Sequence, residues 1–205
     1  GATWENVTPE GLPDWFLVST IEVSPHDPAA VYVAITRFNL DDFQPYLYKT
    51  SDYGRSWTKI TSGIPDNDFT RVIREDPARR GLLYAGTETG VYVSFDDGTS
   101  WQSLRRNLPP VPVHDLAVKE SDLVACTHGR SLWIMDDLTP LHQLNDDVVN
   151  SSVHLFKVRP TFRIMSGRTP RSTSQGRSYV RVSSDNVAFH ERQTADGKTE
   201  RIFLD

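Results

Sequence analysis

The line TSDYGRSW, Thr50 to Trp57, is written a second time as SFDDGTSW, Ser94 to Trp101, and no other feature limits the possible folds so tightly. Trp57 and Trp101 stand 44 residues apart, and their surroundings keep the same register: WTKITSGIP follows the first and WQSLRRNLP the second. The opening GATWENVTPEGLP reads as the tail of one more copy. A fixed period of about 40 to 50 residues, built from short β-rich runs split by Gly, Pro and Asp turns, marks a propeller or a solenoid. Alternation in VYVSF and LLYAG predicts strands, and no segment before Pro140 offers a sustained helical apolar pattern.

Each unit parses as four strands. In the second unit strand A falls near Arg71 to Arg74, B over Leu82 to Thr87, C over Val91 to Phe95 and D over Trp101 to Leu104. A tryptophan opening the fourth strand is a large ring that can bury most of its surface against the next sheet. Asp96 and Gly98 before it suit the C–D hairpin, the first by accepting backbone N–H bonds and the second by permitting positive φ. The repeated line is therefore a turn with a peg.

Its pattern, S-x-D-x-G-x-[ST]-W, resembles the Asp-box or BNR motif. Ser94, Asp96, Gly98, Ser100 and Trp101 match it in full; Thr50, Asp52, Gly54, Ser56 and Trp57 match it with Thr in first place. The motif occurs in sialidases, xyloglucanase-like glycoside hydrolases, sortilin-type receptors and photosystem assembly factors. From TRVIREDP through LLYAGTETGVYVSFDDGTSW to THGRSLWIMDDLTPL the chain resembles large bacterial glycosyl-hydrolase-like proteins with sortilin-like propellers, over roughly residues 1 to 165. The resemblance implies an all-β propeller of four-stranded blades, about three of them here. It implies a secreted or periplasmic setting, though nothing in the residues fixes a compartment.

The third unit departs from the pattern. LVACTHGRSLWIMDDL lays over LYAGTETGVYVSFDDG without a gap and sets Asp136 on Asp96, but Leu138 replaces the glycine and no tryptophan follows. Its fourth strand is expected from elsewhere, since propellers complete their last blade with a strand from the other chain end and so remove exposed sheet edges. About three blades fall short of the four to eight of a ring. The chain thus reads as the C-terminal part of a larger propeller, or as a protomer that assembles with another chain. The expected division is blades over 1–140 and a linker with the start of a further β segment over 141–205. GRTPRSTSQGRS reads as linker, and the stretch after it as a strand or two with ADGK as a turn.

With 22 Lys+Arg against 27 Asp+Glu the formal net charge is −5, which argues against a nucleic-acid binder. No apolar run approaches the ~18 residues of a membrane span. Cys126 is the single cysteine, expected to be a small buried apolar residue, and no zinc-ligand spacing, phosphate loop or nucleotide fingerprint occurs. No metal and no cofactor is expected.

Because C–D hairpins hold the motif, the B–C and D–A loops emerge at the opposite end of each blade, where chemistry would gather. These loops are TRFNLDDFQP, TETG and THGR, and LPDWFLVS, IPDNDFTR and LPPVPVHD. Glycosidic cleavage needs two carboxyl groups about 5 to 9.5 Å apart. Asp66 or Asp68 with Glu88, or with the Asp41/Asp42 pair, are the catalytic candidates. Trp15 or Phe16 could stack a sugar, and Arg37, Arg71, His114, His128 and Arg130 could hold an anionic group. Two functions follow: a carbohydrate-active hydrolase whose cleft needs further blades, or a non-catalytic scaffold binding a protein or peptide on its loop face. Polar loop tips also carry Asp for turn formation alone, and Arg130 could instead lock the last blade by pairing with Asp136 or a backbone carbonyl.

Overall fold

The computed structural model describes residues 3–160, together with the backbone of short strands at 162–163, 180–181, 189–193 and 199–203. The chain forms two compact units, 1–154 and 155–205. In the first, β1 (Leu17–Val23), β2 (Val31–Arg37), β3 (Asp42–Thr50) and β4 (Thr58–Lys59) make a four-stranded antiparallel meander. The pattern repeats in β5 (Thr70–Glu75), β6 (Leu83–Thr87), β7 (Val91–Ser94) and β8 (Gln102–Ser103). A third sheet stops at three strands, β9 (Val113–Lys119), β10 (Asp122–Thr127) and β11 (Leu132–Met135). These are propeller blades, two with four strands and one with three among the described residues, and the four-strand parse of the second unit holds to within a residue or two at each end.

Alternation along each strand sends neighbouring side chains to opposite blade faces, and those faces build the core. Tyr32, Ala34 and Leu47 of the first blade pack against Ile73, Leu83, Ala85, Tyr92 and Trp101 of the second. On the second blade's other face Val72, Tyr84, Val91 and Val93 meet Val113, Leu116, Leu123 and Ala125 of the third. Gly86 sits at that seam, where a Cβ would come 2.6 Å from Val72 Cγ1 and 2.8 Å from Val113 Cγ1. Arg74, on the middle inner strand, donates to Glu22 at 2.9 Å on one side and to Asp115 and the Leu116 carbonyl at 2.8 Å on the other. It joins the three inner strands.

The repeated turns are near-copies. Thr50 Oγ1 and Ser94 Oγ accept the Gly54 and Gly98 amides at 2.9 and 2.8 Å. Asp52 and Asp96 each accept the amide of the residue four ahead at 2.9 Å and its hydroxyl at 2.7 and 2.6 Å. Tyr53 and Asp97 both take φ 62, and Gly54 and Gly98 both take φ 86. The pegs match as well. Trp57 Nε1 donates to the Val7 carbonyl and Trp101 Nε1 to that of Ile60, both at 2.7 Å.

The third unit keeps the left-handed residue, Asp137 at φ 62, and then diverges. Leu138 fills the glycine place with a fully buried side chain, and the chain turns into α1 (Thr139–Gln143) and then α2 (Asp146–Asn150). Asn145 caps α2, accepting from the Val148 amide at 2.9 Å. His142 lies 2.8 Å from the buried Asp76 carboxylate, and Arg79 donates to the Leu141 carbonyl, so α1 is tied to the second blade.

Two expectations need correction. The gapless overlay of the third unit is off by one within the sheet, because Leu83 pairs with Ser94 but its counterpart Leu123 pairs with Met135. The B–C loop is one residue longer, and the extra residue is absorbed before Asp137. Cys126 is exposed rather than buried, since it points to the face of the third blade against which no further blade packs among the described residues. In the second unit β12 (Phe162–Arg163) pairs with β13 (Val180–Arg181), and β14 (Phe189–Gln193) with β15 (Thr199–Phe203). The linker GRTPRSTSQGRS and the ADGK turn lie outside the described residues.

Candidate functional site

The loop face is organised by irregularities in the inner strands. Pairing of β5 with β6 skips Arg71, and pairing of β9 with β10 skips His114. A bulge re-aims the residue it carries. Here it brings an arginine and an imidazole from adjacent blades to the mouth of the inner strands. β1 has a shift of the same kind, at Ser19.

The second and third B–C loops are pinned to the start of their own blades, by Glu88 N–H donating to the Phe69 carbonyl at 3.1 Å and His128 N–H to that of Pro112 at 2.9 Å. Glu88 and His128 thereby stand beside the bulged residues. Arg71 donates to Glu88 Oε2 from Nε at 3.0 Å and from Nη2 at 2.5 Å. Its guanidinium lies 4.7 Å from the Phe69 ring centre and 5.3 Å from that of Phe38, within cation–π range. Phe38 stacks on Phe69 at 5.1 Å, and Phe43 meets Phe69 at 6.0 Å. His114 and His128 meet edge to face at 5.1 Å. Desolvation lowers the His114 pKa below 6.5, the charges of Arg71 and His128 lower it further, and Glu88 opposes them. His114 therefore stays largely neutral at pH 7 and can accept as well as donate.

The carboxylates on this face are mostly engaged. Asp68 is buried, and its two oxygens accept from the Thr89 amide at 3.0 Å and from the hydroxyls of Thr89, Thr87 and Tyr92 at 2.6, 3.0 and 3.0 Å. Asp42 accepts from Arg37 at 2.6 Å, Tyr46 Oη at 2.8 Å and the Gln44 amide at 3.2 Å. Burial pushes the Asp42 carboxyl up, but those bonds and the Arg37 charge outweigh it and hold it below the ordinary range. Asp41 ends a 3-10 turn (Phe38–Leu40) at φ 57, and Asp66 is exposed at its loop tip. Trp15 is 87% exposed with φ 61. The Arg130 guanidinium is exposed and, among the described residues, bonds neither Asp136 nor a carbonyl; its own carbonyl accepts from Trp133 Nε1 at 2.9 Å.

Arg71, Glu88, His114 and His128 are thus brought together, Arg37 and Asp42 pair within the first blade, and Asp68 is turned inward. Reading the loops missed the aromatic platform of Phe38, Phe43 and Phe69. Their positions beside Arg37, Asp42 and Arg71 were visible, but the stack requires two blades to pack. Among the described residues no cluster of three His, Cys, Asp or Glu could hold a metal, and no helix is long and apolar enough to cross a membrane.

No protein-family model and no curated protein matches the chain. Solved structures do resemble it. A structure of YCF48 bound to D1 peptide is 18% identical with a TM-score of 0.43, over 59% of this chain and 37% of that one. A GH74 enzyme of Niastella koreensis is 14% identical with a TM-score of 0.47, over 58% and 21%. The GH74 xyloglucanase of Xanthomonas campestris is 14% identical with a TM-score of 0.44, over 59% and 22%. The chain spans well under half the length of each.

Proposed function

We propose that this chain is part of a BNR/Asp-box, sortilin-like propeller whose loop face binds a peptide or protein segment without catalysing a reaction. The observation that carries the reading is the bulge-aimed pair of Arg71 and His114, set on a platform of phenylalanines and flanked by His128. Arginine beside aromatic rings suits a carboxylate next to an apolar side chain, since the guanidinium can bond the first while the rings bury the second. The acids nearest it are already bonded, Glu88 within the site to Arg71 itself, which keeps Nη1 for a ligand, and Asp68 to four donors. A glycosidase acid must instead keep a proton to donate.

The second reading, a carbohydrate-active hydrolase of which this chain supplies an inactive portion, is favoured by one feature. Trp15 presents its ring to solvent from a left-handed backbone position, as a sugar-stacking residue would. Asp66 is then the acid with most freedom to act, alongside Asp68 and Glu88. The two readings part on one experiment. The protein is screened on an array of acidic, neutral and basic peptides and, joined to the further blades that complete its cleft, for reducing-sugar release from a polysaccharide panel. Binding of acidic peptides, weakened about tenfold or more by Arg71→Ala with no sugar released, is the expected result. Sugar release abolished by Asp66→Asn, Asp68→Asn or Glu88→Gln would replace this reading with the hydrolase.

A further inference from the structure

The charges at the mouth of the second and third blades balance before anything binds. Arg71 on β5 is positive, and Glu88 in the loop after β6 sets one negative charge against it, accepting from Nε and Nη2. His114 on β9 stands within reach of both, since the charges of Arg71 and Glu88 each act on its imidazole. Its other neighbour is His128, in the loop after β10, whose ring meets that of His114 edge to face at 5.1 Å. The remaining ionisable groups of the packed strands are engaged or lie at a distance. Asp115, next along β9, accepts from Arg74 and from the Leu116 amide at 2.8 Å, and Cys126 of β10 opposes Asp115 in the ladder. Tyr84 of β6 donates to Asp76, while Glu75, Lys119 and Asp122 stand at the far ends of β5, β9 and β10. Arg130 is exposed two residues past His128.

At neutral pH Arg71, Glu88 and His114 sum to no net charge, because desolvation, Arg71 and His128 together keep the His114 imidazole largely uncharged. A ligand carboxylate drawn to Arg71 Nη1 adds one negative charge to this balanced set. His114 is the group placed to answer it. Its bulge turns the ring toward the mouth, and a negative charge beside an imidazole favours the protonated form. The imidazolium donates from both nitrogens, so it can bond the ligand as well as offset its charge. A proton held more tightly in the complex than in the free protein makes the complex more stable as pH falls, and that gain is lost as pH rises through the value in the complex. A peptide carboxylate, titrating near about 4, stays charged throughout this range.

We propose that the loop face takes up its acidic segment together with a proton carried by His114, so that binding is proton-linked and tightens on the acidic side of neutrality. The inference rests on the peptide-binding reading and deepens it by naming what regulates the site. Arg71 selects the carboxylate at any pH, and His114 sets how firmly it is held. The phenylalanine platform beside Arg71 takes the apolar neighbour of that carboxylate and carries no proton, which leaves the pH response to the imidazole.

The test is calorimetric titration of the full chain with the peptide Gly-Ser-Phe-Asp-Ser-Gly, acetylated and amidated at its ends, and with its Phe-Asn twin. Each is run at about pH 6 and about pH 7.5, a range in which histidine titrates, in two buffers of unlike ionisation heat. For the Phe-Asp peptide the expected result is an affinity about fivefold higher at the lower pH. Its heats should differ between buffers by the uptake of a proton, and the His114 imidazole should titrate at higher pH by NMR once the peptide is bound. The Phe-Asn twin, which adds no charge, should show neither. In His114→Gln the ratio of the two affinities should fall to about one. His26→Gln should keep the ratio, because the His26 ring sits on the Asp76 carbonyl beyond the far end of β5. His114 is exposed, so thermal melts of His114→Gln should match those of the parent. Binding that needs Arg71 but has the same affinity at both pH values, or a ratio that survives His114→Gln, would overturn the inference and leave the peptide reading standing. A Phe-Asp peptide bound at neither pH, or bound equally by Arg71→Ala, would bring down the peptide reading and this inference with it.

Discussion

Trp101 is 4% exposed, packed among Ile60, Ile64 and Tyr92, whereas Trp57, with its indole N–H on the Val7 carbonyl just as that of Trp101 is on Ile60, is only half-buried. Trp101→Ala should therefore cost about 3 to 5 kcal/mol and Trp57→Ala distinctly less, measured by urea unfolding; equal losses would contradict the blade order. The same turns carry a pH signature. Hydrogen bonds from the Ser56 hydroxyl and amide and the Thr50 hydroxyl hold the Asp52 carboxyl down at about 2, against an ordinary 3.8. At Asp96 burial pushes the pKa up, but Ser100 and Ser94 outweigh it. A carboxyl depressed on folding adds stability that is present above its unfolded value and lost as pH falls through the folded one. Acid unfolding should accordingly steepen between pH 3.8 and about 2, and Asp52→Asn should flatten that limb in a pH series of thermal melts. These residues were legible in the sequence because a turn of this kind is made by local bonds among eight consecutive residues. Cys126 was not, since its exposure depends on which blade face lacks a neighbour.

Strands were legible from alternation and spacing, and so was the third unit's lack of a fourth strand among the described residues. Bulges at Arg71 and His114 were not, because a one-residue slip in pairing leaves no mark on composition. Asp68 illustrates the same limit. As a loop aspartate it looked like a catalytic candidate, yet it fastens its own B–C loop to the blade through Thr87, Thr89 and Tyr92. Asp68→Ala would leave the Thr89 and Tyr92 hydroxyls without this acceptor, while the Thr87 hydroxyl and the Thr89 amide keep bonds at 3.2 Å to the Gly90 carbonyl and Thr87 Oγ1, so a loss of about 2 to 4 kcal/mol is expected. Hydrogen exchange at Thr87 to Gly90 should accelerate most. Unchanged protection there would show that the loop is held by other contacts.

At the scale of the molecule, the packed blades create what no single loop contains. Phe38 and Phe69 come from successive blades and meet only when those blades pack, and the His114 pKa feels Arg71 and Glu88 from the blade before it. Arg71→Ala should raise the His114 pKa back toward 6.5, which proton NMR of the imidazoles would register; no movement would place the two groups farther apart than the account requires. The loop face was thus legible as a list of candidate residues and not as an arrangement. On the proposed reading Arg71 anchors a bound segment there and the loop-tip acids take no part. The most direct measurement is calorimetric titration of the strongest array peptide into the protein, Arg71→Ala and Asp66→Asn. Binding lost in the first variant and kept in the second is the predicted result; binding indifferent to Arg71→Ala would contradict it.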